Sequence, residues 1–133
     1  MIWFMLDTNV CVDLLRGKNS QIVRHMRRHK NEIAISTIAL AELQHSVFKS
    51  SNPSTNLNTV VDFCLPLEIL SFDELAAETY GRIRANLERA GTPIGPFDTL
   101  IAAHALSIDC TLVTNNENEF RRVDGLVVEN WTV

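Results

Sequence analysis

"FMLDTNVCVDLL", residues 4–15, passes from bulky apolar side chains through an acid, a hydroxyl and an amide back into apolar ones. The opening run, which extends back to Ile2, shows no alternation between inside and outside. It reads as a strand buried on both faces. Asp7, Thr8 and Asn9 are all helix-capping types, and Gly17 suits the residue just past a helix end, so a helix follows at once. A strand handing directly to a helix is the first half of a βαβ unit. Capping accounts for a small polar residue at position 7, and a carboxylate there asks for more.

The remainder repeats the pattern. Short apolar runs at 33–35 ("IAI"), 69–70 with their flanks, 111–113 ("TLV") and 126–128 ("LVV") read as further buried strands. Between them, Asn52 and Pro53 open one helix. From Asp73, the side chains Ala76, Tyr80, Ile83 and Leu87 share a face of a long helix reaching about Gly91. "GTPIGP" then breaks the chain before a helix near Phe97. Alternating elements in a short chain predict an α/β fold. The expected form is a single-domain sandwich over residues 1–133, with a mainly parallel sheet flanked by helices and right-handed crossovers. Sheets of this kind bind ligands beyond the C-terminal edge of their strands.

Composition narrows the classes of function. With 46% hydrophobic residues and only 4 prolines and 5 glycines among 133, the chain has material for one substantial core. The apolar stretches are too short to cross a bilayer and Asp7 interrupts the first one, which predicts a cytoplasmic protein without a secretory signal. Cys11, Cys64 and Cys110 lie far apart among apolar neighbours, as buried thiols do, and follow neither a disulfide nor a zinc pattern. A net charge of −4 excludes nucleic-acid binding by overall positive charge. Yet half of the 12 Lys and Arg residues fall between Arg16 and Lys30, as a solvated helix face or a phosphate-contacting rim.

Topology then gathers acids. Asp7 ends the first strand. Glu42, in "STIALAELQHS", lies one or two turns into the helix after the second. The helix carrying Asp98 feeds the strand at 111, so it must begin at the opposite, C-terminal edge. "TNNENEF" follows that strand and puts Thr114, Asn116 and Glu119 on the same rim. Each alone is accounted for as a cap, an exposed stripe or a polar loop. Together, carboxylates with no Lys or Arg between them repel one another, and hard cations such as Mg²⁺ or Mn²⁺ are the natural compensation.

At these residues the chain resembles the PIN-domain ribonucleases, and among them the VapC toxins of bacterial toxin–antitoxin pairs. The likeness runs from "MLDTNVCVDLL" through "STIALAEL", "GTPIGPFDTLIAAHA" and "LVTNNENEF" to "VVENW". It implies an acidic cluster of Asp7, Glu42 and Asp98 for catalysis and metal binding. The family has an aspartate where Asn116 stands, so the fourth position stays open between Asn116 as a ligand, Glu119 as a catalytic acid, or both. Asn9, Ser36 and Thr114 fall at supporting polar positions. The resemblance further implies Mg²⁺-dependent endoribonuclease activity, with Mn²⁺ as substitute, water as attacking group, and 5′-phosphate and 3′-hydroxyl products. "GTPIGPFD" and "VTNN" look like the subgroup that cuts the anticodon loop of initiator tRNA and so inhibits translation. RNA phosphates would then meet Arg24, Arg27, Arg28 and Lys30, with Arg82, Arg84, Arg121 and Arg122 in support. A homodimer is implied, and so is a VapB-type antitoxin that reaches the acids with an extended arm and an Arg. Promoter DNA is touched only through that antitoxin, and no membrane is involved.

Other chemistries lack their residues. A haloacid-dehalogenase phosphohydrolase needs a second Asp where Asn9 stands, and a phosphorelay receiver needs a phosphoacceptor after a central strand with a later Lys. His104, behind Leu100 and Ile101, reads as a packed histidine. The reading from a different class is a catalytically silent PIN-like module that binds RNA or protein and keeps its acids only as caps.

Overall fold

The computed structural model describes residues 1–133. Its elements are β1 (Phe4–Leu6), α1 (Thr8–Leu15), α2 (Ser20–Arg28), β2 (Ile33–Ser36), α3 (Thr37–Phe48), α4 (Pro53–Cys64), β3 (Glu68–Leu70), α5 (Glu74–Arg89), α6 (Pro96–Ser107), β4 (Thr111–Val113), α7 (Glu117–Phe120) and β5 (Val128–Glu129). The strands form one sheet in the order β3-β2-β1-β4-β5, and every neighbouring pair is parallel. The chain moves outward from β1 through β2 to β3, then returns to place β4 on the other side of β1. The C-terminal ends of β1 and β4 therefore flank a topological switch point.

Register brings this crossing to atomic detail. Leu6 pairs with Val113, so Asp7 and Thr114 leave the sheet side by side. The Asp7 N–H donates to the Val113 carbonyl at 3.0 Å, and the Thr114 N–H to that of Glu129 at 3.0 Å. Turns at this edge are abrupt because the sequence puts a cap at each strand end. Asp7 and Ser36 each accept N–H bonds from the helix they start, and Asp73 does so for α5. Gly17, at φ 65, closes α1 in a conformation that strains any residue with a Cβ.

Met5, Leu6, Ile35, Leu112 and Val113 fill the sheet's centre and pack against Val10, Leu43 and the small face of α6, where Ala102, Ala103 and Ala105 let the helix come close. α5 and α6 run antiparallel. Phe72, just ahead of α5, meets His104 late in α6, whereas Leu87 shares a hollow with Thr99 at the other end. All three cysteines are buried and free, as their neighbours predict.

Three details differ from the sequence reading. β3, read as a buried strand, is largely exposed, because it lies at the sheet's edge with no strand on its outer side. The last strand lies at 128–129, two residues later than expected, because Gly125 at φ 85 turns the chain and the Leu126 N–H closes onto the Val123 carbonyl. "TNNENEF" also holds a short helix, α7, anchored by buried Phe120. The basic segment forms α2, whose one buried residue is Ile22.

Trp131, 1% exposed, pins the end of the chain by stacking on His25 and His29 and tilting against Phe4. Trp131→Ala leaves a cavity there and is expected to lower stability by about 3–5 kcal/mol, with Trp131→Phe costing less. Urea unfolding followed by circular dichroism measures both, and an unchanged midpoint for the alanine variant would remove Trp131 from the core.

Candidate active site

Four acids reach the switch-point edge from four separate elements. Asp7 is 2% exposed. One oxygen, Oδ1, accepts the Val10 N–H at 2.9 Å as helix cap, and Oδ2 accepts the Thr114 hydroxyl at 2.5 Å. The Thr114 hydroxyl oxygen in turn accepts the Asn116 N–H at 2.9 Å. Glu42, on α3, takes the Thr8 hydroxyl at 2.6 Å. Asp98 sits half-buried in the first turn of α6. Glu119, on α7, accepts the Gly95 N–H at 3.3 Å on one oxygen and the Asn116 side-chain amide on the other.

The electrostatics follow from this crowding. Burial pushes the Asp7 carboxyl up to about 6, against the Thr114 and Val10 hydrogen bonds and with help from Asp98 and Asp13. Asp98 is raised as well, first by burial and then by Glu119 and Glu42. None of the four belongs to an ion pair; the three in the molecule are His29–Glu32, Arg84–Glu88 and Arg121–Glu117. Oxygen donors massed at one edge without a compensating cation are the donor set hard divalent ions prefer. As they rest, the acids lean on neighbouring hydroxyls and N–H groups, and no three converge on one point. The residues fit a divalent ion by donor chemistry and by uncompensated charge.

Not every expected residue joins them. Thr114 orients Asp7 as anticipated. Ser36 does not touch the acids: its buried hydroxyl caps α3 at Ile38 and meets His104 Nδ1 at 2.8 Å. Burial lowers the His104 pKa, with Asp73 opposing, so this histidine is packed, as its sequence position suggests. Asn9 is exposed. The hydroxyl the sequence reading passed over is Thr8, whose position right after the strand acid was the available signal. The basic segment lies elsewhere. Arg27 and Lys30 border a hollow with Ile33, Pro66 and Leu67, where β2 and β3 begin, at the edge opposite the acids. Arg122, by contrast, bonds the Pro93 carbonyl beside the start of α6, and Arg84 is held by the Tyr80 hydroxyl.

Comparison with known proteins gives the same picture. The PIN domain model matches residues 4–126. The chain is 43% identical over 131 residues to the tRNA(fMet)-specific endonuclease VapC of Salmonella typhimurium, covering 98% of this chain and 99% of that one. To the protein so named from Shigella flexneri it is 40% identical over 132 residues, covering 99% of this chain and 100% of the relative. Among solved structures, the DNA-bound VapBC of Salmonella typhimurium matches with TM-score 0.95 and 43% identity over 98% of this chain and 99% of that one.

Asp7 yields a stability test. Between pH 4 and 6 the unfolded chain loses this proton while the folded one keeps it, so stability falls as pH rises. Against the ordinary value of 3.8, the cost at neutral pH is on the order of 3 kcal/mol. Asp7→Asn keeps the cap without the charge. Without divalent metal it is expected to unfold at higher urea than wild type at pH 7.5, the gap closing toward pH 4. A less stable Asn variant at pH 7.5 would contradict this.

Proposed function

The chain belongs to the PIN-domain family, in its VapC branch, and on that footing we propose that it is the toxin of a type II toxin–antitoxin pair. As such it is a Mg²⁺-dependent endoribonuclease that cuts initiator tRNA in the anticodon loop and so inhibits translation. The observation that carries the reading is the set of carboxylates at the switch-point edge with no cation beside them. Full-length identity to relatives named for tRNA(fMet) supports the substrate.

Asp7, Glu42 and Asp98 hold the ion, Mg²⁺ by preference and Mn²⁺ as substitute. Bound there, it supplies the Lewis acidity that activates water and offsets charge on the phosphate and leaving oxygen. Thr114 and the Val10 N–H hold the two oxygens of Asp7, and Thr8 holds one oxygen of Glu42, which orients these side chains at the edge before any ion is bound. Water oxygen bonds to phosphorus as the bond to O3′ breaks. The electron pair leaves with O3′, which takes a proton, and the products carry 5′-phosphate and 3′-hydroxyl ends. The reaction needs neither the ribose 2′-hydroxyl nor a covalent enzyme intermediate.

Arg82, Arg84 and Arg122 contact phosphates near the cut, whereas Arg24, Arg27, Arg28 and Lys30, at the far edge, meet more distant parts of a folded tRNA. One PIN-like domain, residues 1–133, carries the reaction, works as a homodimer and acts in the cytoplasm. No helix is long and apolar enough to cross a membrane. A VapB-type antitoxin lays an apolar helix in the groove of about 510 Å³ between α1, α2 and α4, lined by Leu14, Val23, Met26, Phe63 and Leu67. Its extended arm brings an Arg to the acids. Promoter DNA is reached only through the antitoxin.

Purified protein with total tRNA and Mg²⁺ is expected to give one anticodon-loop cut, mapped by end sequencing, and Asp7→Asn none. Equal inertness of both in Mg²⁺ and Mn²⁺ would favour the silent module. Val23, 36% exposed, tolerates charge in the free protein. Val23→Glu is therefore expected to fold normally yet fail to co-elute with co-expressed antitoxin, and intact co-elution would move the docking site elsewhere.

A further inference from the structure

The first turn of α6 has a second flank, away from the acids. Pro96 and Thr99 lie on one line of the helix and Asp98 falls on the neighbouring one. On the side of Pro96 and Thr99, a hollow of about 240 Å³ opens between α5 and the segment 93–96. α5 lines it with Tyr80, Arg84 and Glu88, which follow one another at four-residue spacing on a single face. We propose that this hollow is a subsite for one unstacked base of the RNA. Asp98 and the hollow flank one helix about 10–12 Å across, so the base belongs to a nucleotide adjoining the cut. The proposal rests on the nuclease reading of the acidic edge.

The walls carry the groups that hold bases. Tyr80 packs against the core and lines the hollow, and its hydroxyl accepts a hydrogen bond from Arg84 Nη1 at 2.9 Å. That bond keeps a guanidinium at the mouth, ready for the phosphate of the bound nucleotide. Glu88 pairs with the same guanidinium at 3.4 Å. It is an acceptor for an amino group or ring N–H on a base edge. Across from α5 stand Pro93, Ile94 and Pro96, an apolar wall against which a base can lie.

This wall is fixed before any ligand arrives. Arg122 Nη1 donates to the Pro93 carbonyl at 3.1 Å, the Gly95 N–H to Glu119 at 3.3 Å, and the Thr99 hydroxyl to the Gly95 carbonyl at 2.8 Å. The prolines restrict its backbone further, so little freedom is left to lose on binding. Yet the segment keeps apolar surface in water. Pro93 and Pro96 are exposed, Ile94 is half-buried, and Phe97, right beside Asp98, is 53% exposed. Stacking on such a surface does not depend on charge, and so it holds RNA at an edge whose own side chains are acidic. The loops of a folded RNA are where splayed bases are found.

An abasic scan tests the subsite. Hairpins with the anticodon stem and loop of initiator tRNA, each lacking one base, are bound in Mg²⁺ to Asp7→Asn protein, expected not to cleave them, and Kd is read by fluorescence anisotropy. Removing the base at one loop position adjoining the cut is expected to weaken binding about tenfold. Ile94→Ala and the harsher Tyr80→Ser, each checked for folding by urea unfolding, are expected to weaken the intact hairpin by a similar factor. They should then be indifferent to that abasic position, since base and wall form one interaction. In the cleaving protein Ile94→Ala is expected to raise KM and keep kcat within about threefold of wild type. Additive losses at every position would overturn the subsite, while cleavage by the wild type would leave the nuclease reading standing. Coupled binding by a wild type inert toward RNA would do the reverse. Variants of the hollow that spare RNA binding but no longer co-elute with antitoxin would assign the hollow to that partner and overturn the proposal.

Discussion

The in-register pairing of Leu6 with Val113 is the constraint on which the rest depends. It puts the residue after β1 beside the residue after β4, so the Thr114 hydroxyl can close on Asp7. A slip of one residue would turn every side chain on β4 to the opposite face, burying Thr114 where Val113 belongs. The apolar fit of β4 thus protects the geometry of a polar site. Asp7 is served twice, since the same carboxylate starts α1. Backbone order and acid placement are not separable there.

That double use concentrates charge. Burial and neighbouring acids raise Asp7 and Asp98, and no lysine or arginine relieves them. A chain selected for stability alone would have placed a neutral cap at 7. Thr8, Thr114 and the Gly95 N–H soften the arrangement by donating to carboxylates, but they remove no negative charge. The fold therefore holds a negative edge that no cation of its own side chains balances.

Much of this was legible beforehand because topology rules are insensitive to detail. Short apolar runs, caps at Asp7 and Asp73, and the break at "GTPIGP" determined the strand and helix order, and helix polarity alone put Asp98 on the rim. Hydroxyl partners were harder. Ser36 and Thr8 are both small alcohols at strand ends, and nothing in composition says that one turns toward His104 and the other toward Glu42. The place of the basic segment was hard to read for a related reason. Charge clustering is visible in sequence, but α2 leads into β2 and so delivers Arg27 and Lys30 to the opposite edge. The short α7 was hidden because four residues carry too little periodicity to register.

The hydrogen bond between Asp7 and Thr114 spans 107 residues, nearly the whole chain. During synthesis Asp7 leaves the ribosome long before β4 exists to pair with β1, and contacts so distant in sequence form late. A nascent chain thus has no assembled edge until its last sixth is free, and a chain cut short before β4 never acquires one. Folding order itself withholds the activity until the molecule is whole.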